Sequence, residues 1–186
     1  MDWAFRYAHA ADPTARLFIN EFSTTLPDKR RCLESVVKGL LERGVPLNGV
    51  GHQMHVSLYE PDVKEVDETL TTFATMGLEN QVTELDVSLY RRHSYLLGEG
   101  PDVLLSKQAA RYAELMDVFL RHAELTAVTF WGISDAHTHL TSGWEWWRSE
   151  KPLLFDDTQQ PKPAFWAVLQ AVGPKAIPPA SSHRPP

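Results

Sequence analysis

Two carboxylates stand two residues apart in the short run Gln81-Val82-Thr83-Glu84-Leu85-Asp86-Val87. On a strand, residues i and i+2 point to one face, so Glu84 and Asp86 share a side while Leu85 and Val87 take the other. Acids are almost never fully buried unless paired or hydrogen-bonded. The run therefore either ends in solvent or delivers two acids to a site. Gln53 and His55 repeat the same spacing, Asn20 and Glu21 close an earlier apolar run, and Trp131 closes a later one. Ser134, Asp135, His137 and His139 follow Trp131. Polar groups at matching places on successive strands are the pattern of a site built from strand ends and the loops behind them.

His52, His55, His137 and His139, with Glu84 and Asp86, are of metal-ligating types. No His-Glu-x-x-His spacing puts two of them on one helix face, and His52 points away from His55 if both lie on one strand. Neither a metal nor a cofactor is expected. Trp131, Trp144, Trp146 and Trp147 all lie at or after the last apolar run. Aromatics beside carboxylates and amides suit sugar rings, which offer apolar faces and hydrogen-bonding edges. Trp166, further on, is expected in the core.

These residues need elements to hold them. Asp2 to Ala11 reads as a helix stopped by Asp12-Pro13. Arg16 to Asn20 reads as a strand. Pro27-Asp28 opens a helix whose Leu33, Val36, Val37, Leu40 and Leu41 recur on one face, with Gly44 at its end. Gly49 to His55 is a second strand. Asp62 caps a helix to about Met76 with Val63, Val66, Leu70 and Phe73 inward. Val82 to Val87 is the third strand. Val103 to about His122 is a helix with Ala109, Tyr112, Leu115, Met116 and Phe119 on one side, and Ala127 to Gly132 is the fourth strand. Ala164 to Val172 closes as a helix. Ser88–Pro101 and Ser134–Pro163 are long loops, and loops of that length in a compact domain are often functional. The order is α, then four strand–helix units, which implies α/β with a parallel sheet. An open doubly wound sheet and half of a (β/α)8 barrel both satisfy it. No glycine-rich phosphate fingerprint follows any strand, which weakens a nucleotide-binding open sheet.

At 186 residues the chain is one domain by length, and its 43% hydrophobic content is that of a soluble globular protein. A net charge of −6 with no basic cluster beyond Lys29-Arg30-Arg31 argues against a nucleic-acid partner. No apolar run reaches membrane-spanning length. The lone Cys32 excludes an intramolecular disulfide. Met1 to Arg6 shows neither the basic nor the apolar region of a signal peptide, so the compartment is open.

The segments Phe5-Arg6-Tyr7-Ala8, Ala11-Asp12-Pro13, Leu17-Phe18-Ile19-Asn20-Glu21, Gly49 to His55, Val82 to Asp86, Phe130 to Asp135, Pro152 to Asp156 and Gln160 to Ala164 come in one order. In that order they resemble glycoside hydrolase family 10, mainly endo-1,4-β-xylanases. The likeness runs from residue 2 to about 172. It implies the (β/α)8 TIM-barrel fold, here only about the last four β/α units, a half barrel. Residues 1–173 are then a partial catalytic domain, from the family's fourth helix to its eighth, and residues 174–186 a Pro/Ser-rich tail expected to be disordered. By the resemblance Glu84 is the nucleophile of a retaining mechanism, with His55 and Asp86 as its hydrogen-bonding supports. Asn20, Gln53, Trp131, His139 and Trp144 are the expected sugar contacts, and xylan or a xylo-oligosaccharide the partner. The family is commonly secreted.

Two departures qualify the resemblance. The family's acid/base is a Glu on its fourth strand, in an Asn-Glu motif that would precede Met1. Asn20-Glu21 mimics that motif but sits in the context of the fifth strand, so Glu21 reads as a rim residue. Eight residues after Trp131, where the family usually has Trp, this chain has His139. A half barrel leaves two strand edges uncovered, an association liability. The chain is thus a piece of a longer xylanase, or a protein that restores a barrel with a missing N-terminal half or a second copy, or a non-catalytic remnant that binds xylan or a protein.

Overall fold

The computed structural model describes residues 1–90, 99–141 and 150–173. Helices and strands alternate as α1 (Asp2–Ala11), β1 (Phe18–Phe22), α2 (Pro27–Glu42), β2 (Gly49–Gln53), β3 (His55–Ser57), α3 (Val63–Ala74), β4 (Glu79–Ser88), α4 (Pro101–Arg121), β5 (Leu125–Phe130) and α5 (Pro163–Val172). Local chemistry sets the boundaries. Asp62 caps α3 by accepting from the Lys64 amide at 2.8 Å. Pro27, Pro101 and Pro163 each open a helix, where a missing N–H costs nothing. Gly44 ends the turn after α2 at φ +62°, in the left-handed region glycine adopts freely.

All strand pairings are parallel: β1 with β2, β2 and β3 with β4, and β4 with β5. Counting β2 and β3 as one interrupted strand, spatial order follows chain order without reversal. A doubly wound sheet reverses its order once, at a switch point. Unreversed order is barrel winding, so the half-barrel alternative holds and the open sheet does not. The interruption falls at Met54, which is 2% exposed and packs in the core.

The core is two clusters on the helix side of the sheet. Val82, Leu85 and Val87 of β4 meet Val66 and Leu70 of α3 and Tyr112, Leu115 and Phe119 of α4. Val50 of β2 meets Leu33, Val37 and Leu40 of α2 and Phe73 of α3. Leu115 is fully buried, so Leu115→Ala would cost roughly 2–5 kcal/mol. Two expected core residues lie elsewhere. Val36 is 39% and Trp166 56% exposed, because α2 buries Leu33, Val37 and Leu40, and α5 packs through Ala164, Phe165 and Val168.

Between Val82 and Asp86, β4 carries one residue more than the facing stretch of either neighbour. From His52 to His55 three steps stand against four from Val82 to Asp86, and three from Val82 to Leu85 stand against two from Val128 to Phe130. This is a β-bulge, which re-aims side chains. Asn80 and Val82 face the helices below it, and Leu85 and Val87 above it. Thr83, Glu84 and Asp86 therefore all reach the opposite face, where Thr83 bonds Asn20 and the two acids bond His55.

A buried ion pair fixes the loop behind β5. Lys162 Nζ donates to Asp135 Oδ2 (2.8 Å) and to the carbonyls of Lys151 and Leu153, while Asp135 Oδ1 accepts from the Leu153 amide. Burial pushes the Asp135 pKa up and the Lys162 pKa down, each opposed by its partner. The pair anchors the start of α5 to the segment leading to His139.

Candidate active site

The C-terminal halves of the strands bring the sequence-expected residues together. His55, at the start of β3, stands between two acids of β4: its Nδ1 is 2.9 Å from Asp86 Oδ2 and its Nε2 3.0 Å from Glu84 Oε2. The β3–β4 register sets His55 directly beside Asp86. Ordinary alternation places Glu84, two residues earlier on β4, on the same face. Asp86 is 1% exposed, whereas the side chains of Glu84 and His55 keep 14% and 25% of their surface. Ionised carboxylates only accept, so two of them are best met by an imidazolium donating from both nitrogens. The His55 pKa is accordingly raised, chiefly by its bond to Asp86, with Glu84 adding to it and burial opposing.

Two aromatic rings border this trio. Trp131, just past β5, stands edge-on to the His55 ring with centroids 6.0 Å apart and is 46% exposed. His139, in a short 3-10 turn, lies 5.0 Å from His55 by centroids, with Nδ1 3.7 Å from Asp86 Oδ2. Gln53 occupies the same face as His55, two residues earlier, and lines a cleft of about 650 Å³ together with Phe22, Glu60 and Pro61. That cleft reaches the acidic trio through His55 and Gln53; Glu84 and Asp86 are not in its wall.

Asn20 sits a layer lower. It pairs in register with Gly51, and its Oδ1 accepts from Thr83 Oγ1 at 2.8 Å. A Cβ on Gly51 would lie 2.6 Å from that oxygen, so glycine is what lets Asn20 reach Thr83. Glu21 faces the other way, accepting from the Phe22 amide and pairing with Lys29 of α2 at 3.3 Å, as a rim residue should. Trp144, Trp146, Trp147 and the tail at 174–186 lie outside the described residues.

His52 is on the helix side of β2, away from His55. It is fully buried between the Thr24 hydroxyl on Nδ1 and the Asn80 amide oxygen on Nε2, both at 2.9 Å. Asn80 donates its own Nδ2 to the Leu70 carbonyl, so its oxygen faces His52 and Nε2 must carry the proton. Burial lowers the His52 pKa to about 4.

Two buried groups near the site escape sequence reading. Glu150, 6% exposed, accepts from Ser88 Oγ at 2.8 Å and the Leu89 amide at 3.1 Å, closing the end of β4. Gln108 donates to the carbonyls of Val87 and Lys151. No motif marks either residue, since their partners are brought near only by the fold.

The fold and the site define a class: part of a (β/α)8 barrel with an acid–histidine–acid cluster at the C-terminal ends of its strands, where barrel enzymes place their chemistry. The chain belongs to glycosyl hydrolase family 10, whose sequence profile matches residues 1–171. It is 45% identical over 172 residues to a thermostable celloxylanase of Thermoclostridium stercorarium, covering 89% of this chain and 44% of that protein. It is 38% identical over 169 residues to an endo-1,4-beta-xylanase of Geobacillus stearothermophilus, covering 89% and 51%. The crystal structure of xylanase B from Clostridium stercorarium F9 superposes with a TM-score of 0.82 at 42% identity, over 90% of this chain and 50% of that one. The chain thus spans about half the length of these relatives.

Proposed function

We propose that this chain carries the nucleophile side of a retaining endo-1,4-β-xylanase site acting on xylan. Glu84 attacks the anomeric carbon. His55, donating to Glu84 from Nε2 and to Asp86 from Nδ1, holds the attacking carboxylate in place. Gln53 hydrogen-bonds the sugar, Trp131 forms its floor, and His139, Asn20 and Trp144 complete the contacts. The observation that carries this reading is the His55 bridge, because a carboxylate fixed by a histidine that is itself fixed by a buried acid is a preorganised nucleophile.

Retaining glycosidases need a second carboxyl about 5–5.5 Å from the first, as acid and then base. Asp86 does not fill that role, since it is buried and bound to the same histidine as Glu84. Glu21 faces α2. Neither supplies the acid/base, and without one leaving-group protonation forfeits a factor on the order of 10²–10⁴.

An activated aryl β-xylobioside removes that requirement. Release of dinitrophenolate should show a burst of about one equivalent as the glycosyl-enzyme forms, lost in Glu84→Ala. No burst from folded protein would overturn an autonomous nucleophile; retention on xylan unchanged in Glu84→Gln would then favour a non-catalytic binding protein.

A further inference from the structure

His55, Asp86 and His139 offer ligand atoms that all lie within 4.8 Å of one another. They come from three elements: β3, β4 and the turn after β5. That is why no spacing in the sequence marks them as a set. We propose that these three residues form a binding site for a divalent transition-metal cation of the zinc class.

Three observations converge on it. First, tetrahedral zinc with bonds of about 2.0–2.1 Å sets neighbouring ligand atoms roughly 3.3–3.4 Å apart. The distances to Asp86 Oδ2, 2.9 Å from His55 Nδ1 and 3.7 Å from His139 Nδ1, bracket that value, and the two histidine ligand atoms lie within 4.8 Å of each other. Second, a ligating histidine normally donates its other N–H to a carboxylate, which fixes ring and tautomer. His55 already does so: with Nδ1 turned to the cation, Nε2 remains 3.0 Å from Glu84 Oε2. Third, Asp86 Oδ1 has no hydrogen-bond donor among the described residues although the side chain is 1% exposed. A buried acceptor in that condition has lone pairs to give a cation.

The donor set selects the metal. Two imidazoles and one carboxylate suit zinc, cobalt, nickel or copper, and suit calcium or magnesium poorly. Three protein ligands leave a fourth coordination position for water. Binding itself is independent of the glycosidase reading. Its consequence, competition between the cation and a sugar over His55 and Trp131, rests on that reading.

Cobalt(II) titration of the metal-free protein tests the site, because a tetrahedral nitrogen–oxygen complex gives an intense visible ligand-field band. The band should appear with one cobalt per chain, be displaced by zinc, and weaken about tenfold or more in affinity in His139→Phe. His139 is 45% exposed on its side chain, so the substitution should leave the metal-free thermal midpoint unchanged; His139→Gln serves if Phe does not fold. His137→Ala, on the same loop but outside the trio, should leave the band as it was. Absence of the band in the parent chain, or its survival in both His139 variants, overturns the site. Glu84→Gln separates the two proposals: it should abolish the aryl xylobioside burst while leaving a cobalt band.

Discussion

His52 and His55 are three residues apart on one interrupted strand, and each ring nitrogen of both faces an oxygen at 2.9–3.0 Å. Judged by contacts alone they are the same motif. Charge and exposure separate them. His52 meets a hydroxyl and an amide in the dry layer beneath the helices, and burial drops its pKa to about 4. His55 meets two carboxylates at the cleft, and its pKa rises. A neutral histidine between neutral groups is a structural tie, whereas a cation between two anions organises a reactive carboxylate. The lesson is that partner charge, more than hydrogen-bond geometry, decides what a histidine does.

The comparison breaks most severely if Glu84 is removed. Glu84→Gln leaves His55 one carboxylate and the chain no nucleophile, and the rate of aryl xylobioside cleavage should fall by a factor on the order of 10⁴ or more in stopped-flow assays, with the fold retained. The next effect is on stability. His52→Leu leaves the Thr24 hydroxyl and the Asn80 amide oxygen unpartnered and should cost about 3 kcal/mol at pH 7 in urea unfolding, with the burst unaffected.

The pH dependence sharpens this. Because the folded His52 pKa is depressed from 6.5 to about 4, the stability it contributes is complete above about pH 6.5 and is lost as pH falls toward 4. The gap between parent and His52→Leu should therefore narrow by about 3 kcal/mol over that interval. A gap that stays constant would mean that His52 is not held neutral.

At the other histidine, His55→Ala should slow the burst on the order of 10²-fold by releasing Glu84, and should lower the urea midpoint as well because Asp86 is left buried without its donor. Smallest of all is Glu21→Gln, expected to leave turnover after the burst, which needs a general base, unchanged. A large loss there would reassign the acid to β1.

Much of this was legible because the governing signals are local. Prolines and Asp62 mark helix starts, and i, i+3, i+4 recurrence marks the buried faces of α3 and α4. The i, i+2 pairs Gln53/His55 and Glu84/Asp86 read correctly because alternation survives the break at Met54. What escaped is non-local. β4 begins at Glu79 rather than Val82, a start that the polar Glu79, Asn80 and Gln81 hid, and Asn80 is buried to bond His52 and the Leu70 carbonyl. Trp166 is exposed because the neighbour of α5, rather than its composition, chooses the buried face. His139 reached Asp86 through a loop whose path is set by Lys162 and Asp135, twenty-seven residues apart.

The bulge in β4 has a further bearing on how this gene tolerates change. Between Val82 and Leu85 the strand's alternation is out of phase with itself, and both phases are needed: one seats Asn80 and Val82, the other Leu85 and Val87. A one-codon deletion at Thr83 would restore regular alternation with Asn80, Val82, Leu85 and Val87 still on the helix side and both acids still opposite, at the cost of the Thr83–Asn20 bond. A deletion at Leu85 or Asp86 instead removes a core residue or an acid and throws the residues beyond it out of phase with their faces, so single-residue loss in β4 is tolerated only at the bulge. A library of in-frame deletions across residues 79–88 should show that asymmetry as a window of tolerance centred on the bulge.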